Sequence, residues 1–212
     1  MGAKTSMLVI ANGEARAALS CRPVLDREAT AKLASGLFPD TRLEHIGSGD
    51  LSSYPSGSEV YLGSFPGVVI VSAIDFSGSY PSRLPGRFLT FAGEQTVYLH
   101  AMHSVVDWFA YAKWTGGMLT RSLSLCPDDG ILEDIGQRLP FEEPFWAGHH
   151  PVPLDADEEE YPLPFHPLEL GEAALGELFG YQLEGSNEVE LFEPESSELM
   201  KFKPSAPWWK FW

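Results

Sequence analysis

Apolar residues that alternate with polar ones, or run together between turn residues, dominate the first two thirds of the chain. They predict strands at residues 5–11, 59–63, 68–74, 95–101, 108–114, 119–125 and 131–135. Residues 68–74 are apolar at almost every position, which predicts that both faces of this strand are covered. Gly116-Gly117 supplies the positive φ angles of a tight hairpin between residues 108–114 and 119–125.

Helical spacing of apolar residues predicts three helices among these strands. Asp26 is a typical N-cap for a helix that runs to Phe38, and Ser82 is placed to cap a short helix that ends at Gly93. Pro167 is suited to the first turn of a third helix, with Gly180 beyond its end. The pattern therefore predicts an α+β domain, with a mainly antiparallel or mixed sheet and a few helices packed on it.

The C-terminal third has a different composition. Residues 140–167 contain seven prolines, which lack the N–H that helices and central strands need. We predict an extended proline-rich arm that wraps the surface of a single domain formed by residues 1–185. Residues 186–212 are predicted to be an acidic linker followed by a tryptophan-rich tail.

The net charge of −16 lies almost entirely in this C-terminal part. Residues 128–200 carry twenty acidic side chains and one basic side chain, whereas residues 1–127 carry ten of each. Such a charge repels phosphate backbones, so we expect no nucleic-acid ligand. The acidic half either attracts a basic protein partner or is simply a solvated surface.

No apolar run reaches the roughly 18–20 residues of a membrane-spanning helix, so none is expected. Two cysteines, Cys21 and Cys126, are too few for a disulfide framework. We therefore expect a cytoplasmic protein.

Several blocks of the sequence resemble those of a known group of proteins. The blocks are Tyr61-x-Gly63-x-Phe65-Pro66-Gly67, Pro81-Ser82-Arg83-Leu84-Pro85, Leu99 to Tyr111, Pro127-Asp128-Asp129-Gly130 and Tyr161 to Pro167. Over about residues 2–185 the chain resembles an uncharacterised family of short acidic actinobacterial proteins. This resemblance implies a bacterial cytoplasmic protein, and it transfers no catalytic residue because the family has no assigned activity.

His100, His103 and Asp107 form the best candidate metal site. On a helix, spacings of three and four would put the three side chains on one face, a workable set for a divalent metal. On a strand, His100 and His103 point to opposite faces, and one of them is then an ordinary hydrogen-bonded core residue. His149, His150 or His166 would be a further ligand. No recognised metal-binding motif is present, so no cofactor is expected. A divalent metal bound by these residues is the less favoured alternative.

Carboxylates supply a second candidate site. The catalytic candidates are His103, Asp107, Asp128 and Asp129. Paired carboxylates carry out general acid–base chemistry or bind Mg²⁺. Pro127-Asp128-Asp129-Gly130 is also a favourable turn sequence, and the turn is the preferred interpretation.

The aromatic tail is the clearest candidate for an interaction. Trp208, Trp209, Phe211 and Trp212 are costly to leave in water, because burying one large aromatic side chain stabilises by about 2–3 kcal/mol. These residues either fold back onto the domain or anchor a protein partner. Interfacial membrane contact is a third option, which the acidic bulk disfavours.

Two functional hypotheses remain open at this point. The first is a non-enzymatic cytoplasmic binding or accessory protein, with a protein partner reached through the tail or the acidic half. The alternative is a metal-dependent hydrolase with its site near residues 100–134.

Overall fold

The computed structural model describes residues 2–153, 161–184 and 191–205. Within these residues, nine strands form one sheet with the order β2-β9-β3-β4-β1-β5-β6-β7-β8, and every pair of neighbours is antiparallel. The strands are β1 (Lys4–Ala11), β2 (Leu43–Asp50), β3 (Val60–Phe65), β4 (Val68–Ala73), β5 (Thr96–His103), β6 (Trp108–Thr115), β7 (Met118–Cys126), β8 (Gly130–Gly136) and β9 (Glu198–Pro204). The predicted α+β class with a mainly antiparallel sheet is confirmed.

Five helices complete the described fold. They are α1 (Ala15–Ser20), α2 (Arg27–Leu37), α3 (Gly86–Ala92), α4 (Glu143–Trp146) and α5 (Pro167–Phe179). The Asp26 side chain caps α2 by accepting the Ala29 N–H at 2.8 Å, as predicted. Gly180 ends α5 in the left-handed conformation, with φ +86°.

Helices cover both faces of the sheet. The first face packs against α1 and α5, and the second face packs against α2 and α3. Alternate residues of β1 belong to the two cores, so the strand is a nearly continuous apolar run. On β6, Phe109 and Tyr111 belong to the first core while Trp108 and Trp114 belong to the second. Neighbouring residues of β6 therefore pack on opposite faces of the sheet.

The C-terminal part departs from the predicted domain boundary. The sequence analysis placed residues 186–212 outside the domain, but β9 is an interior strand between β2 and β3. Leu199, Met200 and Phe202 of this strand are buried. The prediction was wrong for β9 because its partners lie far away in the sequence and a single strand of seven residues carries little pattern of its own.

Three further elements were predicted incompletely. The elements α1 and β2 were not predicted. Two glycines and a register shift between His45 and Gly47 obscure the alternation of β2. Residues 140–146 were assigned to the extended arm, but they form a 3₁₀ turn and α4. Among the described helices, none has the length and apolar character needed to cross a bilayer.

Candidate functional site

His100 is a core residue on the α5 side of β5. Its ring is fully buried, with Nδ1 2.7 Å from the Thr5 hydroxyl and Nε2 3.0 Å from the Gly171 carbonyl oxygen. A carbonyl oxygen only accepts, so Nε2 carries the proton and Nδ1 accepts from Thr5. Burial lowers the pKa of His100 to about 4, and both ring nitrogens are engaged inside the protein.

Helix α5 can approach His100 closely because Gly171 of this helix has no side chain. A Cβ at Gly171 would lie 3.0 Å from Met102 Sδ and 3.2 Å from Phe109 Cδ2. The glycine therefore lets the α5 backbone rest directly on β5 and β6, with its carbonyl oxygen within reach of the imidazole.

The three predicted metal ligands are not brought together. His103 is three positions from His100 on the same strand, so the two rings project from opposite faces. The ring of His103 lies edge-on to Tyr54, with centroids 6.5 Å apart. Within the described residues there is no group of three or more histidine, cysteine, aspartate or glutamate side chains that could hold a metal ion.

Asp107 lies instead beside His166, in the turn between β5 and β6. The Asp107 Oδ2 atom is 3.7 Å from His166 Nε2, and the backbone of Asp107 has φ +45°. This left-handed conformation is uncommon for a residue with a side chain. Asp107 is therefore fixed at the end of the hairpin, facing the start of α5.

Asp128 and Asp129 occupy the turn between β7 and β8. Gly130 has φ +70°, as the turn interpretation requires, and the Cys126 thiol donates to Asp129 at 3.7 Å. The predicted turn is confirmed. The tail candidates Trp208, Trp209, Phe211 and Trp212 lie outside the described residues.

A buried ion pair on the α5 side of the sheet forms what we call the closed network: Arg121, Glu142, Tyr111 and Asp134. Arg121 and Glu142 are 0% exposed and are joined by two bonds, Nε to Oε1 at 2.9 Å and Nη2 to Oε2 at 2.7 Å. The Tyr111 hydroxyl also donates to Glu142, and Arg121 donates to Asp134. Burial, together with the Glu142 carboxylate, raises the pKa of Tyr111, so this hydroxyl stays protonated.

An open cleft of about 720 Å³ lies beside α5 on the same face of the sheet. We call it the α5 cleft. Its lining includes two imidazoles, three carboxylates, an aromatic ring and an amide, namely His150, His166, Glu169, Glu172, Glu184, Phe145 and Gln182. Glu169 and Glu172 are three residues apart on one helix, which puts both on the same face. The described lining contains no lysine or arginine. The ionised carboxylates therefore give the cleft a negative charge.

One ring stack forms a wall of the α5 cleft, and a second ring stack includes the lining residue His166. Phe145 and His150 lie nearly parallel, with centroids 3.9 Å apart and an angle of 11°. Tyr161 stacks on His166 at 5.9 Å. The His166 Nδ1 atom accepts the Leu168 N–H at 3.3 Å and caps α5, so in the neutral ring the proton is on Nε2, which faces Asp107.

Tyr161 adds a polar group behind this wall. Its hydroxyl oxygen is buried and finds no hydrogen-bond partner among the described residues. Burial and the nearby Asp107 carboxylate raise the pKa of Tyr161 to about 12. A buried hydroxyl without a partner is costly, and in a binding site it is a donor available to a ligand.

Glu172 is the most perturbed carboxyl group of the α5 cleft. It is 9% exposed and accepts the N–H groups of Leu183 at 2.8 Å and Glu184 at 3.2 Å. Burial raises the pKa of Glu172 to about 7, which outweighs the opposite effect of the two N–H donors. The carboxyl group therefore titrates close to neutral pH.

Sequence reasoning named His150 and His166 only as additional ligands, and it missed Glu172 and the Arg121–Glu142 pair. The sequence does contain a signal for the burial of Arg121, which lies two and four positions before Leu123 and Leu125 on the core-facing side of a strand. An arginine in this position requires a buried acidic partner. The pairing with Glu142 itself depends on where the chain after β8 returns, and no local pattern shows this.

No curated protein and no solved structure gives a significant match to the chain. Residues 5–202 match a family model described as Family of unknown function (DUF6928), and this match extends beyond residue 185 into β9. The chain therefore belongs to this uncharacterised family, as the sequence resemblance implied.

Proposed function

We propose that this chain is a non-enzymatic, cytoplasmic binding protein whose α5 cleft holds a cationic group of its ligand. The observation that carries this proposal is the negative, open lining of the cleft, with Glu169, Glu172 and Glu184 and with no lysine or arginine among its described residues. The cytoplasmic location and an actinobacterial source belong to the proposal and rest on the sequence alone.

The walls of the α5 cleft support a ligand with an amine on an apolar stem. Flat rings accept apolar groups on their faces and favour a cation above the ring. The Phe145–His150 stack offers such a surface beside Glu172. Carboxylate oxygens of Glu169 and Glu184 are exposed and can accept hydrogen bonds from an ammonium group. A basic protein segment or a small polyamine has this chemistry.

The acidic half of the chain supports the same class of partner. Residues 128–200, which contain α5, carry twenty acidic side chains against Arg138 alone. A surface with charges of one sign raises the association rate of an oppositely charged partner, and added salt reduces this electrostatic attraction.

Isothermal titration calorimetry with spermidine tests the proposal. We expect saturable binding, and we expect the double substitution Glu169→Gln and Glu184→Gln to weaken it by about 5–30-fold, since two exposed charge pairs contribute roughly 0.5–1 kcal/mol each and every 1.4 kcal/mol is a factor of ten. Neither substitution should change stability by more than about 0.5 kcal/mol.

Glu177→Gln is the matched control, because Glu177 is an exposed carboxylate of α5 that does not line the cleft. It pairs with Arg16 at 3.4 Å. Unspecific attraction by net charge would weaken binding by the same factor for each carboxylate removed, so a loss in the double variant no larger than the square of the loss in the control would mean unspecific attraction. Such a result, or the absence of saturable binding, would contradict the proposal.

The alternative hypothesis is a metal-dependent hydrolase near residues 100–134. It would require the His100 ring to leave its bonds to Thr5 and Gly171 and turn out of the core. Elemental analysis of the purified protein tests it directly. A stoichiometric divalent metal that is lost on substitution of His103 or Asp107 would favour the enzyme over the binding protein.

A further inference from the structure

We infer that the aromatic segment 206–212 docks within its own chain, in a groove beside the connection between α2 and β2. We call this the 38–43 groove. It consists of two adjoining cavities of about 450 and 530 Å³, which share the lining residues Phe38, Pro39, Asp40, Thr41 and Leu43.

The chain itself leads into this groove. Pro204 lines the larger cavity, and the Ser205 N–H donates to the Arg42 carbonyl oxygen at 2.8 Å. The described chain therefore ends at Ser205, at the rim of the groove. Seven extended residues span up to about 24 Å, so every side chain of the segment is within reach of the cavities.

The walls of the 38–43 groove match aromatic side chains. Phe38, Leu43 and Phe202 supply apolar surface, and Ile74, which lines the larger cavity, is 43% exposed. The guanidinium of Arg87 lies 5.7 Å from the ring centroid of Phe38, in the stacked arrangement that also suits a tryptophan. The sequence 206–212 contains three tryptophans and one phenylalanine.

Charge complementarity supports the same occupant. The larger cavity is lined by Asp40, Glu59 and Asp75. Glu59 pairs with Lys201 at 2.9 Å, whereas Asp40 and Asp75 have no ion pair within the described residues. Arg87 is the one lysine or arginine in the described lining of this cavity, and Lys210, between Trp209 and Phe211 in the sequence, would add a second positive charge.

Nuclear Overhauser effects in the full-length protein test this inference. We expect cross-peaks between the indole protons of Trp208, Trp209 or Trp212 and the methyl groups of Ile74 and Leu43. Indole resonances at random-coil positions without such cross-peaks would overturn the inference and leave the segment as a partner anchor. Cross-peaks that arise only between differently labelled copies would overturn it in favour of docking on a second copy.

Trypsin cleavage after Lys210 gives a second readout. We expect Ile74→Gln to accelerate release of Phe211-Trp212 at least 3-fold, because cleavage follows the population of the undocked segment. Ile46→Gln is the matched control: Ile46 is 48% exposed and does not line the groove. Equal cleavage rates in the wild type and in both variants would contradict docking in the groove, and so would equal acceleration by the two variants.

Discussion

The closed network and the α5 cleft use the same kinds of residue on the same face of the sheet, but they differ in how their charges are satisfied. Glu142 receives donors from Arg121, Tyr111, the Leu139 N–H at 2.7 Å and the Trp146 indole at 3.4 Å. Glu172 receives two backbone N–H groups and opens onto solvent space. A carboxylate with all its positions filled is structural, whereas one that is buried but incompletely paired can still bind.

The histidines repeat this difference. His100 has both ring nitrogens bonded within the core, whereas His166 has one nitrogen bonded to the backbone and one facing Asp107 at 3.7 Å. The residue type alone therefore does not distinguish architecture from a binding site. What distinguishes them is the number of partners that the fold supplies.

The largest effect is expected from Glu142→Ala in the closed network. Removing the carboxylate leaves the Arg121 guanidinium buried without its main partner, which costs about 3–5 kcal/mol of unfolding free energy. Urea unfolding measures this loss. The double substitution Arg121→Met with Glu142→Leu should recover most of it, because the one charge left without its partner, Asp134, has a side chain that is 35% exposed and stays solvated. A loss below about 1 kcal/mol for Glu142→Ala would contradict the buried ion pair between Arg121 and Glu142.

An intermediate effect is expected from the histidines. His100→Phe leaves the Thr5 hydroxyl and the Gly171 carbonyl oxygen without their partner, which costs about 2–4 kcal/mol. His166→Asn should cost less than about 1 kcal/mol, since asparagine also caps a helix. Thermal unfolding of both variants at pH 7 compares them. Similar losses of stability for the two variants would contradict the difference between the core imidazole and the cleft imidazole.

The pH dependence of His100 has a defined sign. Its pKa is about 4 in the folded protein and near 6.5 when unfolded, so the unfolded chain binds the proton more tightly. Stability contributed by the neutral ring is therefore present above about pH 6.5 and is lost as the pH falls towards 4. His100→Phe should remove this loss, while His166→Asn should leave it in place.

A smaller effect on stability than that of His100→Phe, and one of opposite sign, is expected from Glu172→Gln. The raised pKa means that the folded protein holds this proton more tightly than the unfolded chain, whose value is near 4.5. Stability from the protonated carboxyl is therefore full below about pH 4.5 and decreases up to about pH 7. Glu172→Gln should stabilise the protein by about 1–2 kcal/mol at pH 8 and change little at pH 4.5.

Urea unfolding of Glu172→Gln at several pH values checks this prediction. The His100→Phe background is useful here, since the His100 and Glu172 effects have opposite signs over pH 4.5–6.5. An unchanged pH slope in Glu172→Gln would show that its carboxyl is solvated like an ordinary one.

Most of the fold could be predicted from local pattern. Alternation located seven of the nine described strands, and the cap at Asp26 and the glycine at position 180 located both long helices. The two missed strands, β2 and β9, pair with each other. Each has a weak pattern, and their pairing joins residues far apart in the sequence.

The candidate site could be predicted only in part. Asp107 was identified as a residue capable of chemistry but was grouped with His100 by sequence spacing, and His150 and His166 were named only as further ligands of that site. The strand turned His100 into the core, and α5 brought Glu172 and His166 to a common cleft instead. Such groupings depend on helix packing across the sheet, which sequence spacing does not report.

The sequence by itself determined the α+β class, the two-faced strands and the concentration of acidic residues in the C-terminal half, because these follow from short-range periodicity and composition. Only the tertiary structure decided which polar groups are satisfied. Burial and long-range contacts provide the partners of Arg121, Glu142 and His100. They leave Glu172 and His166 on the lining of an open cleft, and they leave the Tyr161 hydroxyl buried without a partner among the described residues. The physical reason is that the free-energy cost of burying a polar group depends on its hydrogen-bond partners. The fold brings those partners from distant parts of the chain.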